Sequence, residues 1–201
     1  MPNLITAGGA SDPLAITAAS DGALTFQTGP SGAKVNALAF ASDGTPTFLK
    51  GRLLAQVQTY TTSALASGTT TLPCDDTIPQ ITEGDEYLSL AFTPTNVNST
   101  LEIDVTMAAS NGGAGQTAIA LFQVGTAGAL AAVINYASTA DSLYTTTFKH
   151  SMTAGTTSSL TFKVRAGNNG GAITYRMNGT SGGRLLGGVS SSRITIKEYL
   201  P

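Results

Sequence analysis

The stretch Arg193-Ile194-Thr195-Ile196-Lys197-Glu198-Tyr199-Leu200 decides the fold. Ile194 and Ile196 alternate with Arg193, Thr195 and Lys197, the period-two pattern of a strand with one dry face and one wet face. A closing strand of this kind needs a neighbour from earlier in the chain. The best candidate is residues 53–60, and pairing the two encloses about 150 residues, an ordinary size for one β-sandwich. The expected division is therefore an N-terminal attachment or shaft region, residues 1–50, and a head domain, residues 51–201.

Composition points the same way. Of the 201 residues, 41% are hydrophobic and 11% charged, where about a quarter charged is usual. Polarity comes instead from Thr, Ser, Asn and Gly, which favour strands and turns. The net charge is −2 and the ten basic residues are spread thinly, so nucleic acid is not an expected partner. A single cysteine, Cys74, excludes an intrachain disulfide; a nucleophile or an interchain bridge is conceivable, but it reads as a small, buried or half-buried hydrophobe. Met1-Pro2-Asn3-Leu4-Ile5 lacks a basic n-region, and no run approaches the ~18 apolar residues of a membrane helix. Synthesis in a cytoplasm, without classical export or membrane insertion, is expected.

Before residue 50 the sequence repeats. Ala19-Ser20-Asp21-Gly22-Ala23-Leu24-Thr25-Phe26 returns as Ala41-Ser42-Asp43-Gly44-Thr45-Pro46-Thr47-Phe48. Asp-Gly between apolar alternations is a hairpin signal. It predicts two hairpins after an extended arm: residues 14–18 with 23–28, and 35–40 with 46–49. Neither is stable alone in water, so a core shared between chains is expected, as in a shaft or collar.

The head domain reads as about nine short strands separated by turn signals, the pattern of a sandwich or jelly roll. Leu88, Leu90 and Phe92 face in. So do Leu101, Ile103, Val105 and Met107, then Leu160, Phe162 and Val164, then Ile173, Tyr175 and Met177. Two strands break the rule. In residues 118–124, Ile119 and Leu121 take one face while Ala118, Ala120, Phe122 and Val124 take the other. In residues 130–134, Leu130, Ala132 and Ile134 oppose Ala131 and Val133. A strand dry on both faces needs a second cover, either a loop or another chain. The hairpins ask for another chain independently, so Ile119, Leu121, Phe122, Val124, Val133 and Ile134 are the candidate interface.

Catalytic and metal motifs are weak. Asp75, Asp76, Glu83, Asp85 and Glu86 cluster, and carboxylates can hold Ca²⁺, but the Asp-x-Asp-x-Asp-Gly order is missing and a solvated acidic loop is expected. His150, in register with Tyr144, Phe148 and Met152, reads as structural, and one histidine with one cysteine cannot build the usual zinc sites. Gly179-Thr180-Ser181-Gly182-Gly183 fits Gly-x-Ser-x-Gly, but no helix is expected to follow and no acid lies between His150 and Ser181. No enzyme activity, cofactor or metal is expected.

The C-terminal part carries a family resemblance. Ser190-Ser191-Ser192 running into the closing strand resembles the last strand of jelly-roll tip domains in bacteriophage fibres. Phe162-Lys163-Val164-Arg165, Asn168-Asn169-Gly170-Gly171 and Ile173-Thr174-Tyr175 resemble the paired strands just upstream, and a strand carrying Phe92-Thr93-Pro94 fits the opening of that domain. The resemblance covers residues 53–201. It implies an all-β, homotrimeric, TNF-like jelly roll at the tip of a tail fibre or head fibre. It also implies attachment to other virion proteins through residues 1–50 and recognition of a host glycan or protein. The chain departs from long fibres in having no coiled-coil or triple-β-helix shaft. Tip loops at Asn111 and Gly112, and at Asn168 and Asn169, are candidates to hydrogen-bond a sugar, although the chain has no Trp for one to stack on. The alternatives are a free-standing, lectin-like carbohydrate-binding sandwich or a capsid decoration protein; an esterase using Ser181 and His150 is a third.

Overall fold

The computed structural model describes residues 53–170 and 173–201, together with the strand residues 15–18, 24–28, 35–40 and 46–48. The chain divides into two compact units, Met1–Leu53 and Leu54–Pro201. In the first, β1 (Ala15–Ala18), β2 (Leu24–Thr28), β3 (Val35–Phe40) and β4 (Pro46–Phe48) form one antiparallel sheet in chain order. The two expected pairings are there, β1 with β2 and β3 with β4. In addition β2 pairs with β3, from Leu24↔Phe40 to Thr28↔Val35, so the repeat builds a single meander. The arm before Ala15 and both Asp-Gly turns lie outside the described residues.

The second unit contains β5 (Leu54–Thr62), β6 (Ala66–Gly68), β7 (Asp85–Phe92), β8 (Thr100–Asn111), β9 (Gly115–Gln123) and β10 (Ala131–Ala137). Then come β11 (Leu143–Thr153), β12 (Leu160–Asn168), β13 (Tyr175–Met177), the two-residue β14 (Gly179–Thr180) and β15 (Gly183–Arg184), and β16 (Ser192–Tyr199). One sheet has the order β10-β9-β12-β7. The other runs β5-β16-β8-β11, with β13 following β16 along the same side of β8 and β6 beside β13. Counting only the eight long strands from first to eighth, the sheets read 1-8-3-6 and 2-7-4-5, which is the strand order of a jelly roll. The last strand pairs with the first as the alternation predicts, Ile194 opposite Tyr60 and Ile196 opposite Gln58.

The core lies between the sheets. Leu88, Phe92, Ile119, Leu121, Phe162 and Val164 from one sheet meet Leu101, Ile103, Val105, Met107, Ile194 and Ile196 from the other, all essentially inaccessible. The wet face of the second sheet carries an ion-pair ladder. The Lys197 Nζ lies 3.1 Å from Glu102 and 2.8 Å from Asp104, and Lys149 lies 2.9 Å from Asp104.

The doubly apolar strand β9 is covered from within the chain. Its second face, Ala118, Ala120 and Phe122, packs on Leu72, flanked by half-buried Cys74, Ile81 and Ala129. The covering segment is pinned by its backbone: Leu72 N–H to the Asn168 carbonyl (3.1 Å), Ile81 N–H to Ala127 (2.8 Å) and Gly84 N–H to Thr71 (2.8 Å). Gly167 permits the approach, since a Cβ there would stand 2.3 Å from the Thr70 carbonyl oxygen. This corrects the interface reading for Ile119, Leu121 and Phe122, which are fully buried in their own chain. Val133 is half-buried against the same core. Val124 and Ile134 alone of the six stand open, at 48% and 56% exposure. Leu72→Ala and Phe122→Ala should each cost about 2–5 kcal/mol in urea unfolding. A cost below about 1 kcal/mol for both would mean that the segment lies loosely on the sheet.

Candidate functional site

The expected tip loops sit at one end of the sandwich, tied together by their backbones. Gly112 N–H donates to the Thr174 carbonyl (2.8 Å), Asp141 N–H to Asn111 (2.6 Å) and Asn169 N–H to Gln116 (3.0 Å). Asn111 and Asn168, however, are buried at 0% and 3% exposure, which corrects their assignment as sugar contacts. They form one internal chain of hydrogen bonds. The Tyr144 hydroxyl donates to the Asn111 Oδ1 (3.1 Å) and the Asn111 amide donates to the Thr117 hydroxyl. That hydroxyl donates to the Asn168 Oδ1 (3.1 Å), and the Asn168 amide reaches the Ile173 carbonyl (2.7 Å). Burial pushes the Tyr144 phenol up to about 12. A buried network of this type fixes the strand ends, and its groups are out of a ligand's reach. Asn169 is exposed, but its side chain is committed too, accepting from Cys74 N–H (2.7 Å) and donating to Gln116 (2.7 Å). Gly112 is exposed.

A second clamp joins the neighbouring loops. Ser181 donates both its hydroxyl and its N–H (3.0 Å) to Asp141, and the Arg176 guanidinium stands 3.5 Å from the same carboxylate. The Ser181 bonds first, then the Arg176 charge, hold the Asp141 carboxyl below its ordinary range. The hydroxyl of the Gly-x-Ser-x-Gly match therefore faces a carboxylate of weakened basicity, and a β14–β15 hairpin stands where a nucleophile elbow needs a helix. Buried Asn178 adds a third tie. Its amide donates to the carbonyls of Thr62 (2.9 Å) and Ala64 (3.1 Å), and its Oδ1 accepts from Ser192 (2.8 Å). Beside these ties a recess of about 190 Å³ opens between β11 and residues 185–190, lined by Leu143, Tyr144, Leu185 and Leu186.

The remaining candidates are dispersed. His150 is half-buried opposite Ile103, and burial lowers its pKa. Asp85 accepts from the Thr70 N–H (2.9 Å) and hydroxyl (2.7 Å), Asp75 from Thr77, and Glu83 from the Gln80 N–H (2.8 Å). Glu86 pairs with Lys163 at 2.7 Å. Among the described residues no three His, Cys, Asp or Glu side chains gather as metal ligands do. In the same residues no helix is long and apolar enough to cross a membrane.

At the opposite end the sequence holds a residue that the pattern reading passed over. Glu198 is fully buried. Its carboxylate accepts from the Thr95 N–H (2.8 Å) and hydroxyl (2.9 Å), the Asn96 N–H (3.2 Å) and the Gln56 amide (2.7 Å). The signal was its parity: residues 194, 196 and 198 share the inward face of β16.

No family model matches the chain, and no curated protein matches it. Among solved structures, a CBM4 carbohydrate-binding module is similar at 9% identity and a TM-score of 0.33, over 51% of this chain and 66% of that one. A chain in the structure of the Gt strain of infectious bursal disease virus is 11% identical with a TM-score of 0.35, over 97% of this chain and 52% of that one. The VP2 subviral particle of the same virus is 13% identical, again at 0.35, over 97% and 51%. This chain thus spans about half the length of the two viral chains. At such scores the fold rests on the strand order described above.

Burial alone would raise the Glu198 pKa, but the hydrogen bonds from Gln56 and Thr95 outweigh it and leave the value lowered. A carboxylate whose folded pKa lies below its unfolded one stabilises the fold fully above the unfolded value, about 4.3, and loses that contribution as pH falls through the folded value. Glu198→Gln should cost about 1–3 kcal/mol at pH 7. It should also reduce the wild type's loss of stability below about pH 4.3. An unchanged acid profile in urea titrations would contradict this role.

Proposed function

We propose that this chain is a structural virion protein, a homotrimeric fibre or spike that attaches through residues 1–50 and presents its jelly roll to the host surface. The observation that carries the reading is the closing strand. The Ser190–Tyr199 region that resembles a phage tip domain is the strand that completes a jelly-roll order. The polar groups support a scaffold over a catalyst. Asn111, Thr117 and Asn168 are spent inside, Ser181 is tied to Asp141, and Glu198 holds a loop. What the loop end offers outward is a mixed surface, with Gly112, Leu186 and Val189 exposed beside Asn169 and Arg184. Such a surface binds weakly per copy, and three copies on one rigid head multiply weak contacts into avidity without new ones. The receptor class in this reading is a host glycan or surface protein.

Light scattering on the intact chain is the test. Three times the 20.3 kDa chain mass is expected. A monomer across the working concentration range would contradict the fibre reading and favour a free-standing, lectin-like module.

A further inference from the structure

The four long edge strands of the sandwich are not alike. Among the eight long strands of the second unit the edges are β5 and β11 in one sheet and β7 and β10 in the other. β5 borders β7: the Gln56 amide donates to the Thr93 carbonyl (2.8 Å) just beyond β7. β10 borders β11: the Asn135 amide donates to the Thr146 hydroxyl (2.7 Å). Each side of the sandwich therefore pairs one edge of each sheet.

A bare edge is a row of unpaired N–H and C=O groups, and soluble proteins guard it with charges, prolines or bulges. Two edges here are guarded by charge, β7 by Asp85 and Glu86 and β11 by Lys149. The other two carry neither charge nor proline along their whole length: Leu54-Ala55-Gln56-Val57-Gln58-Thr59-Tyr60-Thr61-Thr62, with one bulge at Ala55 and regular register from Gln56 to Thr62, and Ala131-Ala132-Val133-Ile134-Asn135-Tyr136-Ala137. Both also display apolar side chains. Leu54, Val57 and Tyr60 are 46%, 49% and 42% exposed on β5, and Ile134 and Tyr136 are 56% and 71% exposed on β10. Tyr60 stands opposite buried Ile194 by register, yet stays open.

The unguarded edges lie on opposite sides of the sandwich. A foreign strand would cover one of them. A second copy of this chain covers both, if β5 of one copy meets β10 of the next. That is a head-to-tail contact, and such contacts close into rings when the rotation permits. Neither edge brings a charge, so nothing repels at the join. We propose that copies of this chain associate through these two edges, β5 of one against β10 of its neighbour. The inference rests on the trimeric reading above and names its interface.

The test uses the full-length chain with Val57→Lys on β5 and Ile134→Lys on β10, both at exposed positions, and Thr147→Lys on the guarded edge β11 as control. Mass is read by sedimentation and folding by circular dichroism. Each edge variant alone should be monomeric with an unchanged β spectrum, and the control should keep the wild-type mass. Mixed one to one, the two edge variants should form a pair of chains, because each supplies the intact edge that the other lacks. If either edge variant unfolds, Thr61→Lys or Ala132→Lys replaces it on the same edge. A trimeric wild type whose edge variants both stay trimeric would overturn this interface and leave the trimer standing. A change in only one of the two variants would overturn the β5–β10 contact. A monomeric wild type would overturn both readings together.

Discussion

Strand β16 is hydrogen-bonded along both edges, to β5 on one side and to β8 on the other, from Arg193 to Tyr199. Three parts of the structure hang on that insertion. It is the partner through which β5 joins the sheet. Its inward face places Ile194 and Ile196 in the middle of the core, where each completes contacts between the two sheets. At its end Glu198 gathers the backbone of residues 95–96 and closes the bottom of the sandwich. Its outward face adds Lys197 to the carboxylates of β8, a partly solvated network of modest energetic weight. The connection is long-range, between strands at opposite ends of the head domain, so a large loop-closure entropy must be met before any of these contacts forms.

Alternation made most of this visible in advance. The inward sets on β7, β8, β12 and β16 are buried as the period-two pattern requires, apart from half-buried Leu90 and Leu160, and the pairing of the last strand with the first follows from where such strands lie in the chain. The cover over β9 was not visible, for a physical reason. Residues 70–82 contribute only Leu72, Cys74 and Ile81 to it, at no regular spacing, so no periodic signal marks them as a lid. The apolar second face of β9 therefore looked like an interface when it is part of the interior.

The polar residues give a different lesson. Asn111, Thr117, Asn168 and Glu198 stand at strand ends and look like turn or surface residues. Each nonetheless keeps the inward parity of its strand: 107, 109, 111 on β8; 117, 119, 121 on β9; 164, 166, 168 on β12; 194, 196, 198 on β16. The alternation runs on past the last apolar residue. Near a sheet end an inward polar group finds loop backbone to bond, so burial there is compatible with polarity where mid-strand it is not. The sandwich is thus held at its middle by apolar contacts and at both ends by amides and a carboxylate.

The central claim is that β16 is an integral member of the sheet and not a terminal strand laid on its rim. Native-state hydrogen exchange on the Ile194 and Ile196 amides, compared with Ile103 and Val105 on β8, tests it most directly. The account predicts that all four exchange only through global unfolding, with the same free energy and the same dependence on denaturant. Exchange of Ile194 and Ile196 through a cheaper local opening, with β8 still protected, would contradict it.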